Sequence, residues 1–324
     1  MQPPHVSRNV RIRAETSNNG TDQRESTSWS QILITIAFVG VILATVFFLL
    51  RLYCRRKTNW KLAIEDLVLG FGLVFSYGLS TCIIIAAYNG VGHQMWALPA
   101  DVQGRVALVF WLGRMFWALA HGFIKLSIIL LINHLFGTVN HRRWCAIVSA
   151  FILFSLSWTT TALLGNIFQC VPPKYFWIRS RDGYCRSSDQ QRAFSFTIGS
   201  LALAEDVALL AIPIVIVGRL HLARAKKIRV IVLFSFGGLV CIISILRLIE
   251  LIHFQTDNLT GSGAMECIWA TLEINLGIIC TSLVLMRPLV HECRIRLRKC
   301  AGRNKEEFEL PALSENISET LPNA

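Results

Sequence analysis

Seven blocks of mostly apolar residues, near 31–50, 62–87, 106–132, 144–168, 194–218, 228–252 and 266–290, divide the chain. A helix needs about 20 such residues to cross the hydrocarbon of a bilayer, and each block is that long. Seven long helices apolar all round do not suit a water-facing surface. Composition agrees: of 324 residues, 53% are hydrophobic and only 16% charged. The sequence therefore predicts an all-α fold, a seven-transmembrane helix bundle forming one membrane domain over 31–292. A polar tail, 1–30, precedes it. A tail over 293–324, basic and then acidic, follows and reads as disordered. No internal repeat is evident, which weighs against transporters built from duplicated halves.

The net charge of +12 would suit nucleic acid if it were spread over one surface, but it alternates between connections. "RLYCRRKTNWK" carries five basic residues, the third connection has Arg142 and Arg143, "GRLHLARAKKIR" carries five and "HECRIRLRKCAGRNK" six. The sixth connection has none and the second only Arg105. The positive-inside rule then places the N-terminus outside and the C-terminus in the cytosol. The fourth connection, with five basic residues, dissents and is outvoted. Residues 1–29 have no apolar h-region, so no cleaved signal peptide is expected and the first span acts as the insertion signal. The partner these features imply is the lipid bilayer, with the plasma membrane favoured over internal membranes. Nucleic acid is not expected.

Sequons begin at Asn19 and Asn258, both on the expected outer side, and are candidate glycosylation sites. Asn316 begins a third on the expected cytosolic side, which should stay bare. Most of the ten cysteines fall in or beside spans, where a small apolar residue suffices. Cys170 and Cys185 lie in the long outer connection "FQCVPPKYFWIRSRDGYC" and are expected to form a disulfide over the bundle, with Cys267 as a competing thiol. Cys293 and Cys300 sit in a basic juxtamembrane stretch, where palmitoylation and two free thiols are equal readings.

Charged residues inside the spans are the candidate functional groups, because a charge at mid-bilayer costs at least about 2.5 kcal/mol unless paired. Arg114, His121 and Lys125 are spaced by seven and four and share one face of the third helix. Glu65 and Asp66 open the second span, and Asp206 lies in the fifth, seven residues before Pro213. Arg247 and Glu250 lie in the sixth, Glu266 and Glu273 in the seventh. Depth predicts an Arg247–Glu273 pair and places Lys125 within reach of Asp66 and Asp206. Two readings stay open: an ion-pair network that fixes packing, and a ligand or ion site. Asp66 and Arg247 fall to the first; Lys125, His121 and Asp206 are divided evenly.

Several motifs carry a family resemblance, in order and over residues 31–292. They are "RLYCRRKTNWKLAIEDLVL", "YNGVGHQMWAL", "FIKLSIILL", "FQCVPPKYFW…GYC", "AEDVALLAIP", "SILRLIEL" and "WATLEINLGIICTSLVLMRPL". The chain resembles the fungal rhodopsin-domain integral membrane proteins, the group that includes Pth-eleven-type receptors and the satratoxin-cluster membrane proteins. It departs from them at the inner end. "INHLF" lacks the arginine usual before the phenylalanine of the third span, and Val284 stands where a proline is usual. The Asp-Arg-Tyr and Asn-Pro-x-x-Tyr signatures of animal receptors are also missing.

The resemblance implies a receptor-like membrane protein that senses an extracellular small molecule or surface cue, with a G protein or another cytosolic partner. The alternative is a transporter or accessory component tied to fungal secondary-metabolite biosynthesis. No cofactor is expected, retinal included. Retinal opsins use a Schiff-base lysine on the seventh helix, and residues 266–290 contain none. An enzyme is not expected either. Of eight histidines only His121 is well inside a span, so three zinc ligands are not expected to meet at one depth, and no metal is anticipated. Nucleotide-binding and Gly-x-Ser-x-Gly loops are absent.

Overall fold

A computed structural model describes residues 6–57, 63–91, 99–136, 141–178, 182–219, 224–253 and 259–286. Side chains of 6–28, 213–219 and 224–236, and a few at other helix ends, lie outside that description. So do Asn258, Cys293, Cys300 and Asn316. The described residues form α1 (Val6–Lys57), α2 (Ile64–Tyr88), α3 (Ala100–Phe136), α4 (His141–Ile167), α5 (Ser188–Arg219), α6 (Arg224–His253) and α7 (Leu259–Leu283). Between α4 and α5, β1 (Cys170–Val171) and β2 (Tyr184–Cys185) pair antiparallel around a 3₁₀ turn, Pro173–Phe176. Six described helices have the length and apolar composition to cross a membrane: α1 from Trp29, α2, α3, α4, α5 and α7. α6 has spanning length, but the side chains of its first half are outside the description.

Burial follows helical periodicity with the sense a bilayer requires. On α1, Leu33, Ala37, Ala44 and Arg51 are buried, while Phe38, Val39, Ile42, Leu43, Val46 and Leu49 face outward. In water so large an apolar face would be an aggregation site; in lipid it is the solvated surface. The main core draws Leu69, Leu73 and Ile83 of α2, Phe110, Trp117 and Ile124 of α3, and Ile274 and Ile278 of α7, with Trp158 of α4 and Ile198 of α5 at its side. Lipid tails supply no hydrophobic drive between helices, so close approach depends on small residues. A Cβ added at Gly72 or at Gly277 would lie 3.2 Å from Ile124. These two glycines let α2 and α7 close on α3 from both sides.

Several helix limits differ from the apolar blocks, for local reasons. α1 begins at Val6, well ahead of its block, so the polar segment continues the same helix and Asn19 lies within it. α5 begins at Ser188 rather than 194. Ser187 and Gln190 form a reciprocal capping box there, with Gln190 N donating to Ser187 Oγ (3.3 Å) and Ser187 N to Gln190 Oε1 (3.4 Å), a start signal that hydropathy does not register. α7 ends at Leu283, not 290. Leu285 N and Met286 N donate to the carbonyls of Ser282 and Leu283, closing the last turn. Pro288 follows, and the residue before a proline disfavours helix.

Candidate functional site

The buried charges form three levels along the bundle axis. The lowest joins the C-terminal end of α1 to the start of α2. Arg51 Nε donates to Asp66 Oδ1 at 2.7 Å and its Nη1 to the Thr281 carbonyl at 2.7 Å. Arg55 pairs with Glu65 and, at 2.7 Å, with Asp66. The Ala63 amide donates to Asp66 Oδ2 (3.3 Å), so the same carboxylate also caps α2. Ser127 Oγ donates to the Glu65 carbonyl (2.8 Å), and His134 Nδ1 lies 3.7 Å from Glu65 Oε1. Asp66 is therefore engaged by α1. The expected reach of Lys125 to Asp66 is corrected by this geometry, because two arginines from the adjacent helix occupy its oxygens.

Lys125 instead reads one turn of α5. Its ammonium donates to the Ala202 carbonyl at 2.6 Å and lies 3.2 Å from both Glu205 Oε2 and Asp206 Oδ1. Positions i, i+3 and i+4 share a helix face, so Ala202, Glu205 and Asp206 make one cradle. Ser155 of α4 donates to Glu205 Oε1 at 2.5 Å. Deeper in the same level, Glu273 accepts from Trp117 Nε1 (3.1 Å) and Ser244 Oγ (2.6 Å), with Arg247 Nε at 3.1 Å. The Arg247 guanidinium also stacks over the Trp117 ring at 4.1 Å. His121 packs against both Trp117 and Trp158, with centroids at 5.2 and 4.9 Å, and its Nε2 is 3.9 Å from Glu273 Oε1. Ligand atoms of His121, Asp206 and Glu273 all lie within 4.8 Å of one another. The expectation that three metal ligands cannot meet at one depth counted histidines alone; carboxylates from α5 and α7 complete the set.

The third level is a cavity of about 80 Å³ toward the disulfide end. Leu79, Ile83, Phe110, Ile198 and Leu251 supply apolar walls, and Arg114, Trp117, Arg247 and Glu266 supply polar ones. Arg114 and Glu266 stand 3.9 Å apart, a loose pair at the wall. Above it, Cys170 and Cys185 are disulfide-bonded and Cys267 is not in that bond. The loop they close lays Trp177 against Trp111 (5.3 Å), and Trp111 Nε1 donates to the Asn166 carbonyl at 3.1 Å.

Arg114, His121 and Lys125 thus share one stripe but serve two levels, Arg114 the upper cavity and His121 with Lys125 the middle one. Sequence reasoning missed Arg51, Arg55 and Glu205 as network members. Arg51 and Arg55 read as loop charges for topology, yet their spacing of four on a helix end would have put them on one face. Glu205 precedes Asp206 and was hidden by its neighbour.

The profile of the fungal rhodopsin domain matches residues 50–292. The chain is 24% identical to "Receptor GIN3" of Arthrobotrys oligospora over 80% of its own length, and 25% identical to a "SAT4 family membrane protein" of Emericella nidulans over 71%. It spans 62% and 58% of those two proteins. It is also 25% identical to "Polyenoic acids biosynthesis gene cluster protein Ba17b" of Metarhizium anisopliae, over 82% of this chain and 78% of that one. No solved structure matches. A profile match that runs from the arginine pair of the lowest level past the end of α7 takes in all three charged levels, and the chain belongs to the fungal rhodopsin domain family.

Proposed function

We propose that this chain is a receptor-like membrane protein whose ligand is a small molecule entering from the disulfide end. The cavity beneath the disulfide loop carries this reading. It is apolar over most of its wall, with Arg114, Arg247 and Glu266 among its lining residues, the pattern of a site that buries an apolar body and orients a polar head. The favoured ligand is an amphipathic molecule with a carboxylate or similar acceptor facing Arg114. The name of the Arthrobotrys relative supports a receptor, the positive-inside pattern supports a disulfide end facing away from the cytosol, and residence in the plasma membrane is part of the proposal. Seven spans, a cytosolic G-protein partner and the absence of enzymatic activity belong to the same proposal. So does the absence of retinal, since α7 has no lysine.

The test is a screen of amphipathic acids on cells displaying the tagged chain, with G-protein recruitment as readout. A responding ligand should lose at least tenfold in potency with Arg114→Ala at equal surface level. Absence of any response across the screen counts against the receptor reading. Relatives named for biosynthetic gene clusters favour a second reading, a transport or accessory role in metabolite export. Flux of a metabolite through vesicles holding only this protein would establish it in place of the first.

A further inference from the structure

The three charged levels differ in their balance. In the lowest, Arg51 and Arg55 face Glu65 and Asp66, two against two. At the cavity wall, Arg114 faces Glu266, one against one. In the middle level, among the described side chains, Glu205, Asp206 and Glu273 face only Lys125 and Arg247. With all three carboxylates ionised, this level carries one negative charge that no cation among the described side chains balances, and an unpaired charge inside a bundle is costly.

A second cavity, of about 60 Å³, opens at this point, and His121, Lys125, Asp206 and Glu273 all line it. His121 is only 4% exposed, yet its Nδ1 has no hydrogen-bond partner, and neither has Asp206 Oδ2. Two residues that each carry an unpartnered buried polar atom, His121 and Asp206, thus line one cavity together with Glu273.

We propose that His121, Asp206 and Glu273 form a binding site for one monovalent metal cation, for which sodium is the probe. Charge decides the class. An imidazole with two carboxylates is a donor set that zinc accepts, but a divalent ion would convert one excess negative charge into one excess positive. A monovalent ion brings the level to zero. The charged and titratable groups around the ion come from four helices: His121 and Lys125 on α3, Glu205 and Asp206 on α5, Cys241 and Arg247 on α6, Glu273 and Cys280 on α7. Glu273 also pairs with Arg247, which lines the upper cavity. The ion therefore shares a ligand with the wall of the proposed ligand pocket, although the site itself does not depend on that pocket having a ligand.

The full chain in lipid nanodiscs, unfolded by heat at fixed pH and ionic strength, tests this. An ion at ten times its dissociation constant raises the folded-to-unfolded ratio about 11-fold, so replacing choline chloride by sodium chloride should raise Tm by about 2 °C. Asp206→Asn and His121→Ala should abolish the sodium shift, and Glu266→Gln, at the other cavity, should keep it. Radiolabelled sodium should bind the unmodified chain with a stoichiometry of one, a measurement that needs no variant to fold. A stabilisation produced by zinc alone, or by acid alone with no dependence on sodium, overturns the proposal. So does the absence of both the thermal shift and bound label.

Discussion

Lys125 is held by three acceptors on a single turn of α5, so its role in packing is specific to that pair of helices. Replacing it by methionine keeps the length and removes the charge. Glu205 and Asp206 would then be adjacent carboxylates with no cation between them. Removing one partner of a buried ion pair costs about 3–5 kcal/mol, so Lys125→Met should cut the yield of folded protein sharply, measured by size-exclusion profile and surface level. Lys125→Met with Glu205→Gln and Asp206→Asn removes both orphaned charges and should recover much of that loss. If the single variant expresses normally, the cradle is not a packing device and the ammonium serves a ligand instead. His121 is a different case. It makes no short hydrogen bond to Glu273 and packs at a tilt against two tryptophans that also touch each other, so its ring can be trimmed at less structural cost.

α3 is an organising element, because it contributes side chains to all three levels, through Ser127 and His134, His121 and Lys125, and Arg114; α7 does so as well, through the Thr281 carbonyl, Glu273 and Glu266. α3 is held between α2 and α7 by the glycine contacts to Ile124. Gly277→Leu would push a branched side chain into Ile124, where a Cβ alone already lies at 3.2 Å. Overpacking of this kind costs about 1–3 kcal/mol, and the thermal midpoint should fall by several degrees. An unchanged midpoint would mean that α7 shifts freely along α3. α4 is the contrasting element. It is mostly lipid-facing and touches the network through single side chains, Ser155 to Glu205 and Trp158 Nε1 to the Ile198 carbonyl at 2.9 Å. Element limits were legible wherever hydropathy marks them. They were not legible at α5, where a capping box adds residues the hydropathy pattern leaves out, or at α7, which stops before its apolar block ends.

For the whole molecule, the orientation argued from basic connections predicts that Asn19 lies outside the cell. Glycosidase treatment should then sharpen or shift the electrophoretic band, and Asn19→Gln should remove that response while an N-terminal epitope stays accessible on intact cells. Access only after permeabilisation would reverse the orientation and put the disulfide loop in a reducing compartment. The apolar blocks and their length determined by themselves that this chain is a helical membrane protein, because the cost of unpaired backbone in lipid leaves few alternatives. The stripe on α3 and the pairing of Arg247 with Glu273 were also readable, since periodicity and depth are functions of sequence position alone. Which acid meets Lys125 was decided only by tertiary structure. Rotation about each helix axis and the choice of neighbours are set by packing, and these give Asp66 to Arg51 and Arg55, and Glu205 with Asp206 to Lys125. The same packing brings a histidine and two carboxylates from three helices to one cavity.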